Sequence, residues 1–282
     1  MPEAYMNGIR FAQPGDEAGL KALFGTCFSD TEYDINCFFN TVYSPENTVV
    51  YVSDGEICSE LFMIDATIYS CEDAYRALYL YGICTSESFR GRGFASELIS
   101  FAREAAVDRG VCALALVPAE EGLFSYYGRL GFYPALTALH AEFFEESHNT
   151  VPEFRTFVPD IREILDIRRS DAGKRADLIF CENMLKYMTD SSREGIGALA
   201  ARSDSGEAAY VLFEYSDAEI HVTEAFGSKE LFRGLKEAIQ SSHPQKRLLP
   251  AEFAQCGKYT GMLMPISEAA QHFSDITAGQ PY

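Results

Sequence analysis

Apolar positions along the chain switch between a two-residue and a 3.6-residue period, and each switch marks a change between strand and helix. A first strand is predicted at Ile9-Arg-Phe-Ala12. Pro14, Gly15 and Asp16 then open a helix over residues 18–28, with Leu20, Leu23 and Phe24 on one face. A second helix over residues 33–43 carries Ile35, Phe38, Phe39 and Val42 and stops at Pro45; together the two helices form a lid in this reading. Residues 48–56 read as a strand turning at Asp54-Gly55 into a second strand that runs to Tyr69, and residues 75–84 complete an antiparallel meander. Phe94, Leu98, Phe101, Ala102 and Ala105 recur at helical spacing up to Gly110. The unbroken apolar run of residues 111–117 is the pattern of a buried central strand. A helix over residues 123–130 ends at Gly131, and a further strand is predicted from Phe132 through Phe144.

The polar stretch of residues 145–152 reads as a linker. Beyond it the pattern predicts helices over 160–169 and 174–188, then strands over 195–201, 208–215 and 219–225. A helix over 228–241 and strands at 248–253 and 262–266 finish the chain. The second half thus repeats the order of the first, and the boundaries are residues 1–146 and 147–282. The fold class is α/β, with a mixed central sheet flanked by helices in each half.

Composition narrows the functional classes. A chain of 282 residues with 47% hydrophobic content can bury two ordinary cores. Forty-two acidic against 23 basic residues give a formal charge of −19, which repels nucleic acid and anionic membranes and favours cationic partners. No window approaches a membrane span, and the N-terminus shows no leader pattern, so a cytoplasmic location is expected. The eight cysteines form no CxxC pair and no Cys/His cluster, so reduced thiols are expected and no metal site.

Against that acidic background, Arg90-Gly91-Arg92-Gly93 sits between an aromatic-rich strand and a helix start. A helix N-terminus offers unpaired N–H groups and the positive end of a dipole, and glycines let a phosphate approach the backbone. A Walker loop is excluded because GxxxxGK[ST] is absent, and Gly91-x-Gly93 lacks the third glycine of a dinucleotide fingerprint.

Arg90-x-x-Gly93-x-Ala95 instead resembles the R/Q-x-x-G-x-G/A segment of the GCN5-related N-acetyltransferases (GNAT). Tyr126-Tyr127-Gly-Arg-Leu-Gly131-Phe132, about thirty-five residues on, resembles that family's F-Y-x-x-x-G-F segment. The resemblance covers residues 9–144. It implies acetyl-CoA as cosubstrate, with backbone groups of Ile83, Cys84 and Thr85 pairing with the pantetheine arm. The N–H groups of Arg90, Gly91, Arg92, Gly93, Phe94 and Ala95 would cradle the pyrophosphate, and Tyr127 would be the general acid, with Tyr126 facing the core. A small-molecule amine acceptor follows, with aminoglycoside-like or polyamine-like cations favoured by the acidic balance. Protein lysine or N-terminal acetylation and a non-catalytic acyl-CoA-binding module are the alternatives.

The general base stays open between Asp65, a water chain and the Tyr282 carboxylate. Glu120 and Glu121 are explained by their place at a helix start. The repeated element order resembles the enhanced-intracellular-survival type of tandem acetyltransferase, without room for a sterol-carrier-like third domain. The second half lacks the arginine–glycine motif where a second turn should fall, at residues 225–232. It is expected to bind no cofactor and to wall the acceptor cleft.

Overall fold

A computed structural model describes residues 7–70, 73–138, 141–144, 151–171, 177–190, 195–250, 259–273 and 276–278. Strand β1 (Gly8–Phe11) leads into α1 (Glu17–Cys27) and α2 (Glu32–Thr41). Thr31 caps α2 through a reciprocal pair: its hydroxyl accepts from the Asp34 N–H, and the Asp34 carboxylate accepts from the Thr31 N–H. These helices are not a lid. Phe24 and Phe38 pack against each other and against Phe62 and Tyr81, so both helices are built into the core.

Next come β2 (Thr48–Ser53), β3 (Glu56–Ser70), β4 (Asp73–Thr85), α3 (Phe94–Asp108), β5 (Ala113–Leu116), α4 (Gly122–Arg129) and β6 (Tyr133–Ala138). The strand predicted to run to Phe144 stops at Ala138, and Ala141–Phe144 is a 3-10 turn whose Phe143 is buried in the second core.

The second half holds β7 (Phe154–Phe157), α5 (Ile161–Asp171), β8 (Asp177–Phe180), α6 (Glu182–Thr189), β9 (Ile196–Ser203), β10 (Ala208–Tyr215) and β11 (Glu219–Gly227). It continues through α7 (Lys229–Ser242), β12 (Arg247–Pro250), β13 (Tyr259–Pro265) and β14 (Ile276–Ala278). The helix predicted over 174–188 is divided. Asp177-Leu-Ile-Phe180 is a fully buried strand that covers the exposed edge of β3 at Ala66–Tyr69, and only α6 is helical. Four apolar residues cannot by period alone distinguish strand from helix, and the open edge decided for strand. Of the strand predicted at 248–253, the part after Pro250 lies outside the described residues, as do residues 145–150 of the linker.

The strands form two sheets. Nine strands run in the order β1-β2-β3-β4-β5-β13-β6-β14-β8, and five run β12-β11-β10-β9-β7. The chain therefore crosses back over the division at residue 146: β13 lies antiparallel between β5 and β6, pairing Leu263 with both Ala115 and Tyr133. Separate apolar clusters line the two faces of the larger sheet. One gathers α1, α2 and α6 around Phe38, Phe62 and Tyr187, and the other gathers α3 and α4 around Leu78, Leu98 and Tyr127.

Candidate active site

Strands β4 and β5 run parallel but are joined only at Ala77–Tyr79 with Ala113–Ala115. Beyond Tyr79, β4 continues six residues to Thr85 with no ladder to β5, so the two strands open a wedge in the middle of the sheet. Within the wedge β4 bulges. Phe62 faces Tyr81 and Glu60 faces Cys84, which leaves Gly82 and Ile83 opposite Leu61 alone. A bulge re-aims backbone groups out of the ladder, here at the strand end that carries Ile83, Cys84 and Thr85.

Residues 86–93 then turn into α3. Gly91 (φ +76°) and Gly93 (φ +89°) lie in the left-handed region, and a Cβ on either would meet nothing within 4 Å. Glycine is required there by conformation, while the space above it stays open. Gly93 is the N-cap of α3 and gives it no side-chain cap, so the N–H groups of Phe94 and Ala95 start the helix uncapped. The turn is exposed. Its arginines support it from within: Arg90 Nε donates to Thr85 O at 3.2 Å, and Arg92 Nη2 donates to Ser88 O at 3.2 Å with its guanidinium 4.8 Å from the Phe89 ring centre. Phe94 stacks on Tyr51 at 3.8 Å.

Tyr127, on α4, is 7% exposed and packs on Phe132. Burial, followed by the charge of Tyr126, pushes its phenol up to about 12. It packs in the apolar cluster on the α3–α4 face of the sheet together with Leu78, the β4 residue paired with Leu114 of β5. Tyr126 does not take the core position. Its hydroxyl and Ser96 Oγ are 2.9 Å apart, tying α4 to the first turn of α3, and Tyr127 is the more buried of the two.

Asp65 is not brought to the wedge. It pairs across β3–β4 with Leu78, seven residues before Thr85 and so roughly 20 Å away along the strand. Its side chain is 59% exposed, with Arg76 at 4.0 Å. Glu120 and Glu121 are exposed, and Glu121 makes no side-chain cap to α4. Tyr282 lies outside the described residues.

The carboxylate that does reach the site is Glu60, on β3 opposite Cys84. It is fully buried, Oε1 accepts from Cys84 Sγ at 3.5 Å, and Oε2 has no hydrogen-bond partner among the described residues. Burial, more than anything else, holds its carboxyl well above the usual carboxylate range. The sequence carried a signal for it: Glu60 shares the strand phase of Phe62 and Ile64, a buried face where a lone carboxylate is out of place. Cys27, at the end of α1, completes the cluster, with Sγ donating to Thr85 O at 3.8 Å.

The second half closes one face of β4. Phe180 of β8 meets Tyr79 at 5.0 Å, and Tyr187 of α6 meets Phe38 at 5.4 Å and hydrogen-bonds to Tyr81. Two cavities of about 480 and 370 Å³ lie elsewhere, the first between α5, α6 and β9 and the second beside Asp65 and Arg76; neither touches the turn. Among the described residues no cluster could hold a metal ion, and no helix is long and apolar enough to cross a membrane.

A parallel pair that splits over an uncapped, glycine-opened helix start defines a binding site for a phosphate-bearing chain laid between two strands. Residues 8–135 match the family model described as an acetyltransferase (GNAT) domain. Residues 8–135 thus carry a GNAT-type acetyltransferase domain, the equipment of an acyltransferase that uses a CoA-type cosubstrate. No curated protein matches it. A GCN5-related N-acetyltransferase from Anabaena variabilis superposes with a TM-score of 0.72 at 13% identity, covering 92% of this chain and 72% of its own. Eis1 from Mycobacterium abscessus gives 0.69 at 12%, covering 94% and 76%. A GCN5-related N-acetyltransferase from Kribbella flavida gives 0.65 at 16%, covering 90% and 70%. These likenesses extend the shared fold over both halves, and the tandem arrangement is the one the element order predicted.

Proposed function

We propose that the chain transfers an acetyl group from acetyl-CoA to the amine of a small cationic molecule by direct attack, with Tyr127 as general acid. The observation that carries the reading is the convergence of three features: the β4–β5 wedge, the uncapped start of α3, and a buried tyrosine in the cluster that packs on the paired part of those two strands. The residues fit the cosubstrate. The turn offers backbone donors with open space above both glycines, and the bulge at Gly82 and Ile83 frees groups of β4 from the ladder. Acetyl-CoA supplies the activated acyl carbon, and this chain supplies the proton transfers and the positioning.

Tyr127, with its phenol up at about 12, stays protonated at neutral pH, the form an acid needs. It gives its proton to the sulfur as the carbon–sulfur bond breaks. Glu60 takes the proton lost by the amine as the carbon–nitrogen bond forms. Its raised pKa suits a base working nearer neutral pH than an ordinary carboxylate does, whereas Asp65 is exposed and pairs with Leu78, away from the bulge.

The aromatic wall of Tyr187 and Phe180 over Tyr81 and Tyr79 favours a small acceptor over a protein chain, and the charge of −19 favours a cation and disfavours nucleic acid. Acetyl-CoA and reduced thiols both accord with action in the cytoplasm. The test is Tyr127→Phe. Acetyl-CoA binding by calorimetry should stay near that of the parent, while turnover against a polyamine and aminoglycoside panel falls about a hundredfold. Unchanged turnover overturns the acid assignment.

A further inference from the structure

We propose that Cys27 is a modification site: a peroxide-reactive thiol whose oxidised form is resolved by Cys84 into a Cys27–Cys84 disulfide. Neither thiol is needed as a thiol by the transfer reaction, yet the two are brought together from residues 57 apart in sequence, one at the end of α1 and one on β4. Cys84 Sγ is hydrogen-bonded to Cys27 on one side and donates to Glu60 Oε1 at 3.5 Å on the other. Cys27 Sγ and Arg90 Nε share the Thr85 carbonyl, at 3.8 and 3.2 Å, which places a guanidinium beside the sulfur. Glu60 Oε2, fully buried and without a partner, belongs to the same cluster.

The surroundings divide the labour between the sulfurs. The contact with Cys84 and, against the cost of burial, the charge and hydrogen bond of Arg90 lower the Cys27 thiol below its ordinary value, which raises its thiolate fraction. Cys27 is partly exposed and Cys84 is buried, so peroxide meets Cys27 first. Cys84, hydrogen-bonded to Cys27 and buried beside Glu60, is held well above the usual thiol range.

The Cys27 thiolate attacks one peroxide oxygen, the O–O bond breaks, and the hydroxide that leaves takes up from the solvent the proton that Cys27 gave up on ionising, leaving a sulfenic acid and a water. With the negative charge gone from Cys27, its part in raising Cys84 and Glu60 is removed, while burial acts on both as before. Glu60 accepts the Cys84 proton, Cys84 sulfur attacks Cys27 sulfur, and the S–O bond breaks. The departing hydroxide recovers that proton as water. Two thiols lose two hydrogens, and one peroxide becomes two waters. Cys27 is the last residue of α1, where the helix end accommodates the approach of the sulfurs.

The test uses the full, reduced chain, treated with hydrogen peroxide at neutral pH, digested without reductant and read by mass. A peptide pair joined through Cys27 and Cys84 should form about tenfold faster than oxidation at Cys37 or Cys181, the other partly exposed thiols among the described residues, and should separate on adding dithiothreitol. In Cys84→Ala, the Cys27 sulfenic acid should persist and be captured by dimedone. Oxidation at Cys27 no faster than at Cys37 and Cys181, or no Cys27–Cys84 link, overturns the proposal. The readout is mass and stands apart from acetyl transfer, so the two proposals fail separately.

Discussion

The two halves of the chain are built alike and differ where chemistry is done. Strands β1-β2-β3-β4-β5 and β7-β9-β10-β11-β12 follow one plan, each with three antiparallel joins and a final parallel one, and each with a helix after the fourth strand. In the first half eight residues, 86–93, connect strand to helix and make the glycine-opened turn. In the second half Ser228 alone does so. Ser228 N–H donates to Ala208 O, and its hydroxyl donates to Glu230 in the first turn of α7, so that helix start meets strand β10 and its own carboxylate. Burial preserves the layout of strands through wide sequence change, whereas an anion site rests on one short connection and vanishes with it.

What the second half holds instead is an internal ion cluster. Glu224 lies two residues past Val222, the last β11 residue paired with β12, as Tyr81 lies two past Tyr79 in the first half. Arg168 of α5 fills that place: fully buried, it bonds Asp177 at 3.0 and 3.2 Å, stands 3.6 Å from Glu224, and faces Phe226. Burial alone would weaken its charge, but Asp177 and Glu224 more than offset this, and Tyr210 donates to Glu224. Asp177 belongs to the nine-stranded sheet and Glu224 to the five-stranded one, so one guanidinium links the two. The largest expected effect follows. Arg168→Met leaves two buried carboxylates without a cation and should cost about 3–5 kcal/mol in urea unfolding. The triple change Arg168→Met, Asp177→Leu, Glu224→Leu should recover much of that, because burying charges is itself costly. A loss below about 1 kcal/mol for the single change would mean that packing, not charge, joins the sheets.

The halves also differ in how legible they were. The glycine–arginine turn and the tyrosine after it are local chemistry, readable from spacing, and α3 and α7 announced themselves by periodic apolar faces. Long-range pairing was not readable. Nothing in Met262-Leu-Met-Pro265 says that it lies between β5 and β6, and Asp177-Leu-Ile-Phe180 becomes a strand only because β3 leaves an edge open. Glu60 was hidden for a related reason: its meaning depends on Cys27, Cys84 and Arg90, which three separate segments bring together.

Two glycines offer a sharper contrast. Gly93 and Gly227 both have positive φ at the strand-to-helix passage of their halves. A Cβ at Gly93 meets open space, but one at Gly227 would come within 2.3 Å of Ala208 O and 2.7 Å of Ala209 Cα. Gly93→Ala should therefore strain only the turn, by about 1–2 kcal/mol, weaken acetyl-CoA binding roughly tenfold and lower Tm less than Gly227→Ala does. Gly227→Ala should lower Tm by several degrees, through the β10–β11 pairing, and leave acetyl-CoA affinity unchanged. Calorimetry on the parent should find one site per chain. Two sites, or a binding defect in Gly227→Ala, would break the division between the halves.

The smallest effect separates two buried glutamates, one in each half. Glu224 has Arg168 and Tyr210 as partners; Glu60 has a thiol on one oxygen and nothing on the other. Because burial raises Glu60 above its unfolded value, the folded chain binds more protons than the unfolded chain over the interval between the two values. Stability assigned to this group is complete below about pH 4 and declines as pH rises towards the folded value. Glu60→Gln removes that decline. The variant should match the parent in Tm near pH 4 and exceed it at pH 8, by about 1 kcal/mol or somewhat more, while its turnover falls and the acidic limb of its pH–rate profile disappears. A stability difference independent of pH would show that Glu60 has an ordinary carboxylate pKa. A retained acidic limb would move the base to another group. Burial raises Glu224 too, so its linkage to pH has the same sign, but Glu224→Gln should lose stability at pH 8 because it deprives a buried arginine of one counter-charge. A buried carboxylate with no cation beside it among the described residues is a stability cost that the proposed role of Glu60 as base would explain.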